Sequence, residues 1–213
     1  MKRCAILSVN PESPEPPAIT SAAELLKTGG LVVFPTRSFY GIGAQALNAE
    51  AVERVFRVKQ RDPENPLLIL IASRTDLDAL VQSIPDTATR LMGAFWPGNL
   101  TVVFESTDRL PSNLTGHRRK IGIRLAGHPV ARRLTEAVGT PITGTSANLS
   151  GRPACHAVTD LEPALLDHID LVLDAGTLGR GEASTVVDVT LDPPKILREG
   201  AIDAVKIRMV LEG

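Results

Sequence analysis

An α/β fold with a mixed sheet is the class this 213-residue sequence predicts, and three observations predict it. Short apolar runs that suit buried strands alternate along the chain with amphipathic stretches of helical period. Strand patterns near the C-terminus follow one another too closely for a helical crossover between each pair, so some neighbours must be antiparallel. Length is the third. A chain of this size buries one sizeable core, and no internal repeat or low-complexity tract divides it, so residues 1–213 are expected to form a single domain.

The elements follow in order. Residues 4–9 read as a short strand, and Pro11 to Pro17, with four prolines and two glutamates, as an extended connector. Ser21-Ala-Ala-Glu24 has the form of a capping box before Leu25-Leu26, and Gly29-Gly30 stops that helix. Leu31 to Phe34 is a buried strand that breaks at Pro35, because proline cannot donate to a ladder. The loop beyond it sets Thr36, Ser38 and Tyr40 at a strand end, where open α/β sheets bind ligands. Asn48 caps a helix reaching about Lys59, with Val52, Val55 and Phe56 on one face and Lys59 and Arg61 delivered at its end.

Asp62 to Pro66 is a loop, and Leu67 to Ala72 is apolar without alternation, as in a strand buried on both faces. Helical patterns at 76–82 and 86–94 lead to the turn Phe95-Trp-Pro-Gly-Asn99, a strand at 100–105 and a loop at 108–117. Ile121-Gly-Ile-Arg-Leu125 is a strand with Arg124 embedded in it. A charge there is costly unless paired, so Arg124 meets a carboxylate of the fold or waits for one on a ligand. A helix at 129–138 precedes Ile142 to Gly151, a strand dissolving into small polar residues. A helix near 160–168, strands at 171–174, 184–190 and 196–198, and a closing helix at 201–211 complete the chain.

Composition narrows the function. With 23 basic against 24 acidic residues no global field favours nucleic acid or membrane, and 3% aromatics cannot build a base-stacking platform. Cys4 and Cys155 are unpaired in spacing and read as free thiols in a reducing compartment. The Met-Lys-Arg start precedes an apolar run too short for a signal peptide, and no stretch reaches transmembrane length, so a cytoplasmic protein is expected. Asn-x-Ser/Thr triplets at Asn99, Asn113 and Asn148 are chance matches in that setting.

The four histidines, His117, His128, His156 and His168, lack ligand spacing, so no protein-built metal site is expected. Ser146 has no G-x-S-x-G elbow and there is no Walker A loop. Gly41-Ile-Gly43-Ala-Gln-Ala46 fits G-x-G-x-x-A but lies too far past its strand to be a dinucleotide turn. What remains is a set of cations, hydroxyls and amides at strand ends: Thr36, Lys59, Arg61, Asn65, Arg124, Ser146, Asn148, Ser184 and Arg198. Such a set suits an anionic substrate such as a nucleotide with an amino acid.

Seven strings occur in a telling order: Pro35-Thr36-x-Ser38-x-Tyr40-Gly41, Lys59-x-Arg61 with Asn65-Pro66-Leu67, Trp96-Pro97-Gly98-x-Leu-Thr101, Arg124 with His128-Pro129, Thr145-Ser-Ala-Asn-Leu-Ser-Gly151, Ser184-Thr-Val-Val-Asp188 and Leu197-Arg-x-Gly200. From about residue 20 to 202 the chain resembles the threonylcarbamoyl-AMP synthase family, the YrdC-like domain. The resemblance implies a twisted open α/β sheet enclosing a positively charged cavity. It also implies an activity, the conversion of L-threonine, bicarbonate and ATP to threonylcarbamoyl-adenylate and pyrophosphate. That adenylate serves tRNA threonylcarbamoyl-transferase proteins downstream. By the same resemblance Thr36, Arg124 and Ser184 hold threonine; Arg61, Asn65, Ser146, Asn148 and Arg198 hold ATP; and Lys59 and Arg61 act in catalysis near the phosphates, with Mg2+ arriving on ATP.

Four positions depart from the family pattern. Arg37 stands where an acidic residue is usual, Asn99 and Glu199 replace prolines, and Lys120 replaces a Thr or Ser near the nucleotide. Longer family members carry a further C-terminal domain, for which this chain is too short. Two other readings stay open. Arg118-Arg119-Lys120 with Arg132-Arg133 could contact tRNA or bind double-stranded RNA through its backbone. A relative making a different carbamoyl-adenylate, as in hydrogenase maturation proteins, is the other.

Overall fold

The computed structural model describes residues 4–212; the basic start Met1-Lys2-Arg3 lies outside them. The elements are β1 (Ala5–Ser8), α1 (Pro16–Lys27), β2 (Val32–Pro35), β3 (Tyr40–Gly43), α2 (Ala49–Lys59), β4 (Ile69–Ile71), α3 (Asp86–Phe95), β5 (Leu100–Glu105), β6 (Lys120–Leu125), α4 (Pro129–Val138), β7 (Ile142–Thr143), β8 (Thr145–Ser146), α5 (Pro163–Leu166), β9 (Leu171–Asp174), β10 (Thr185–Asp188), β11 (Lys195–Arg198) and α6 (Ala204–Glu212). A short 3-10 turn at Arg74–Ala79 stands where a helix is predicted at 76–82, and the helix predicted near 160–168 is the four-residue α5, preceded by a 3-10 turn at Val158–Asp160. No helix among the described residues is long and apolar enough to cross a membrane.

The α/β class and the mixed pairing are as expected, but the strands form two sheets rather than one. A five-stranded sheet runs β1-β9-β2-β3-β8 and a six-stranded sheet runs β11-β10-β5-β6-β4-β7. The chain passes from the second to the first between β7 and β8, across Gly144. There the Gly144 N–H donates to the Leu68 carbonyl at 3.0 Å. A Cβ at this position would lie 2.8 Å from Leu70 Cγ and 2.9 Å from Leu68 Cδ1, so the junction requires glycine. Strands of two residues carry no readable period, which is why the sequence does not reveal the switch.

Two local expectations fail for identifiable reasons. Helix α1 starts at Pro16, not at Ser21, because proline suits a first helical turn that has no N–H partner to lose. Ser21 sits inside the helix, with its hydroxyl donating to the Pro17 carbonyl at 2.9 Å. Tyr40 to Gly43 is strand β3, antiparallel to β2, so Tyr40 belongs to a strand and not to the loop beyond β2. Its glycine leaves room for an aromatic ring, since a Cβ on Gly43 would lie 2.9 Å from Phe34 Cε1. The loop carrying Thr36 is therefore a hairpin tip.

Strand alternation decides what faces the ligand side. In β5 and β6, Leu100, Val102, Phe104, Ile121 and Ile123 point into the main core. Their neighbours one residue along point the other way, toward the space between the sheets. Helices α1 and α4 cover the far side of β2 and β9 through a second core that includes Leu26, Phe34 and Leu134.

Helix α2 begins as predicted, with the Asn48 side chain accepting from the Glu50 and Ala51 N–H groups. Asn48→Ala should lower unfolding free energy by about 1 kcal/mol. Urea denaturation reads this as a lower midpoint at unchanged slope.

Candidate functional site

A cavity of about 580 Å³ lies between the sheets, within the range of small-molecule sites. Its floor is the alternate face of the six-stranded sheet: Ser184, Val186 and Asp188 from the β10 segment, Thr101 and Val103 from β5, and Lys120, Gly122 and Arg124 from β6. Thr36 and Phe39 of the hairpin tip and Thr145 and Ser146 of β8 close it from the other sheet. Five cationic side chains line it, Arg61, Arg118, Lys120, Arg124 and Arg198, against one carboxylate, Asp188. Lys120 pairs with that carboxylate at 3.1 Å, and Thr190 donates to its other oxygen. The resulting hydrogen bonds hold Asp188 below its usual range despite its burial.

Arg124 is 8% exposed. Its Nε donates to the Gly98 carbonyl at 2.6 Å and a terminal nitrogen to Asn99 Oδ1 at 2.7 Å. Both acceptors are neutral, and among the described residues no carboxylate pairs with it. Burial first, and then Arg37 and Arg198, lower its pKa to about 10, so it stays charged at neutral pH. A buried, partly hydrogen-bonded cation facing a cavity has its charge available for an anion. Arg198 donates to the Ser184 carbonyl at 2.7 Å, and Ser184 shares a 2.8 Å hydroxyl contact with Thr101. Arg61 is braced by the Asn65 and Pro66 carbonyls, and burial and then Arg198 lower its pKa against the opposing pull of Asp62. The Thr36 hydroxyl donates to the Phe39 carbonyl at 2.6 Å and fixes the hairpin tip.

Six of the nine sequence-selected residues thus share one cavity: Thr36, Arg61, Arg124, Ser146, Ser184 and Arg198. Lys59, Asn65 and Asn148 are not in its lining. Asn65 is exposed and contributes its carbonyl to Arg61. Lys59 is fully buried behind the wall, with its ammonium on the Ser146 and Asn148 carbonyls at 2.5 and 2.6 Å. Burial, then Arg61, lowers the Lys59 pKa to about 8, with Cys155 opposing.

Tyr40 and Ser38 also leave the ligand side. The Tyr40 hydroxyl donates to the Gly176 carbonyl and accepts from the Ala175 N–H, and burial pushes its pKa to about 12. Ser38 donates to the Glu182 carbonyl. Arg37 is exposed and donates to the Gly127 carbonyl at 3.1 Å, tying the hairpin tip to the loop after β6. The basic string does not form one patch. Arg118 and Lys120 line the cavity, while Arg119 points outward to Asp108 and both Arg132 and Arg133 pair with Glu136. His117 and Arg119 flank Arg118 in left-handed backbone, at φ 59° and 53°. Such conformations cost energy in non-glycine residues and concentrate at functional sites.

Sequence reasoning passed over Phe39, Thr101 and Asp188 as cavity residues. The signal for Asp188 was period-two spacing from Ser184, which puts both on one strand face.

A family model described as telomere recombination, spanning Sua5, YciO and YrdC, matches residues 24–200. The chain belongs to the Sua5/YciO/YrdC family. Threonylcarbamoyl-AMP synthase of Pyrococcus abyssi is 38% identical over 193 residues, 91% of this chain but 57% of that relative's length. The P. abyssi Sua5 structure complexed with L-threonine superposes with a TM-score of 0.90 at 37% identity, covering 97% of this chain and 60% of that one. Escherichia coli YciO superposes at 0.86 and 30% identity, covering 96% and 98%.

Two outcomes follow from this geometry. Arg124→Met should change unfolding free energy by no more than about 2 kcal/mol, because a lone buried cation contributes little to stability; anion affinity should fall at least about 100-fold by calorimetry. For Lys59, a folded pKa of about 8 against an ordinary 10.5 means the unfolded chain binds the proton more tightly. Its destabilising effect is fully present well below pH 8 and is relieved as pH rises toward 10.5, by on the order of 3 kcal/mol in full. Urea titrations between pH 7.5 and 9 should show wild-type stability rising relative to Lys59→Met.

Proposed function

We propose that this chain is an L-threonylcarbamoyladenylate synthase, a nucleotidyltransferase acting for tRNA modification. The observation that carries the reading is the convergence of five cations and one ion-paired carboxylate on a single cavity, with Arg124 buried there without a carboxylate partner among the described residues. The bound threonine named for P. abyssi Sua5 and the synthase activity named for the P. abyssi relative support this choice of substrates.

In this reading Arg124 receives the threonine carboxylate, flanked by the Thr36 and Ser184 hydroxyls. Arg61, Arg198 and Ser146 meet the nucleotide, with Asn65 bracing Arg61 and Asn148 shaping the turn beside Ser146. Threonine nitrogen first takes up the carbon of bicarbonate, with loss of water. An oxygen of that carbamate then attacks the α-phosphorus; the bond to the bridging oxygen breaks, and pyrophosphate leaves with the electron pair. The protein's contribution is to place the carbamate in line and to surround the departing charge with fixed guanidinium groups. Among the described residues no group of three or more His, Cys, Asp or Glu side chains is placed to hold a metal ion. In this reading magnesium arrives on the ATP phosphates and would supply charge screening of the leaving group. The adenylate passes to transferase proteins that act on tRNA.

Purified protein incubated with ATP, magnesium, bicarbonate and L-threonine should yield threonylcarbamoyl-adenylate by mass spectrometry, with little or none from serine or without amino acid. Arg198→Ala should reduce the yield at least about tenfold through loss of a charge-assisted contact. No adenylate from the wild type, or full yield from Arg198→Ala, contradicts the reading. Salt-sensitive double-stranded RNA binding without adenylate would favour a binding module instead.

A further inference from the structure

Ser146 lines the cavity, and its hydroxyl has no hydrogen-bond partner among the described residues. What fixes its position is a turn whose own backbone needs holding. Strand β8 ends at Ser146, and the chain then leaves the sheet through Ala147, Asn148 and Leu149. The buried Lys59 side chain reaches the carbonyls on either side of Ala147. Lys59, the last residue of α2, donates through Nζ to the Ser146 carbonyl and the Asn148 carbonyl and lies 3.5 Å from Asn148 Oδ1. Its own carbonyl accepts from the Ser150 N–H at 2.9 Å. The Asn148 amide closes the turn by donating to the Leu149 and Arg152 carbonyls. An ammonium carries three donors at one point, which suits collecting carbonyls that converge from successive residues.

We propose that Lys59 is a positioning residue that never touches the ligand: it holds the Ser146–Ser150 turn so that the Ser146 hydroxyl is presented to the cavity. The proposal rests on the cavity being an ATP site, and it assigns to the turn what a phosphate-binding role would assign to the lysine itself. Charge on Lys59 matters to the hold because charge-assisted hydrogen bonds are stronger than neutral ones. The groups facing it are Arg61, which follows on its own segment, and the Cys155 thiol, which packs against the turn through the Ala147 carbonyl with Asp160 and Glu162 beyond. Retaining a buried cation that destabilises the fold is expected where function needs it. Stability and ligand affinity should then respond to alkaline pH in opposite directions.

A double-mutant cycle on ATP binding by calorimetry, combined with amide hydrogen exchange, tests this. Lys59→Met and Ser146→Ala should each weaken ATP by about tenfold, and the double variant by about tenfold too, since both act through one contact. In Lys59→Met the Ala147 and Ser150 amides should lose protection. Wild-type affinity should fall several-fold from pH 7.5 to 9.5, whereas Ser146→Ala should be flat over the same range, a comparison that holds even if Lys59→Met does not fold. Effects that multiply to about a hundredfold, unchanged protection at the two amides, or a pH profile shared by wild type and Ser146→Ala would each overturn the proposal. If the wild type binds no ATP the functional reading fails, and the exchange measurement alone still decides the role of the lysine.

Discussion

The constraint on which the rest depends is the cost of a guanidinium buried in a β-sheet. Arg124 occupies the middle of the six-stranded sheet, where an aliphatic residue would stabilise the fold more. The protein supplies it only a backbone carbonyl and an amide oxygen, and spends its one cavity carboxylate on Lys120. This leaves the charge satisfied enough to stay folded and unsatisfied enough to attract an anion. The glycines around it serve the same end. Gly122 beside it has no side chain to fill the floor, and a Cβ there would lie 3.1 Å from Thr101 Cγ2.

The two-sheet arrangement follows from that need. A single open sheet offers one face to a ligand, whereas the switch at Gly144 brings a second sheet over the first and supplies a roof that includes Thr36, Phe39, Thr145 and Ser146. The roof is anchored from outside the cavity, by Arg37 on the Gly127 carbonyl at one edge and by Lys59 under the β8 turn at the other. Side chains with formal charge thus divide into those that face the ligand and those that hold the ones that do.

Much of this was legible in the residues. Helix α4 has the predicted bounds, Asn48 caps α2, and β5, β6 and β9 fall where their apolar runs lie, because long runs and capping chemistry carry strong local signals. Six of the nine proposed site residues meet in one cavity for a similar reason: a charge or hydroxyl at a strand end stands out against apolar neighbours. Direction was harder to read. Lys59 and Arg61 are two residues apart, yet one is buried behind the wall and the other lines it, because Gln60 between them is left-handed at φ 49° and turns the chain. Tyr40 lies four residues from Thr36 and faces away, since β3 is a strand with no apolar alternation to betray it. Strands of two residues and left-handed turns are set by tertiary contacts, which no window of sequence contains.

Whether Arg124 meets a carboxylate is open to one direct measurement. Calorimetric titration of L-threonine against L-threoninamide, which keeps the side chain and removes the carboxylate charge, should show at least about 100-fold weaker binding of the amide by the wild type. The discrimination should disappear in Arg124→Met. Equal affinity of the wild-type protein for the two ligands would contradict it.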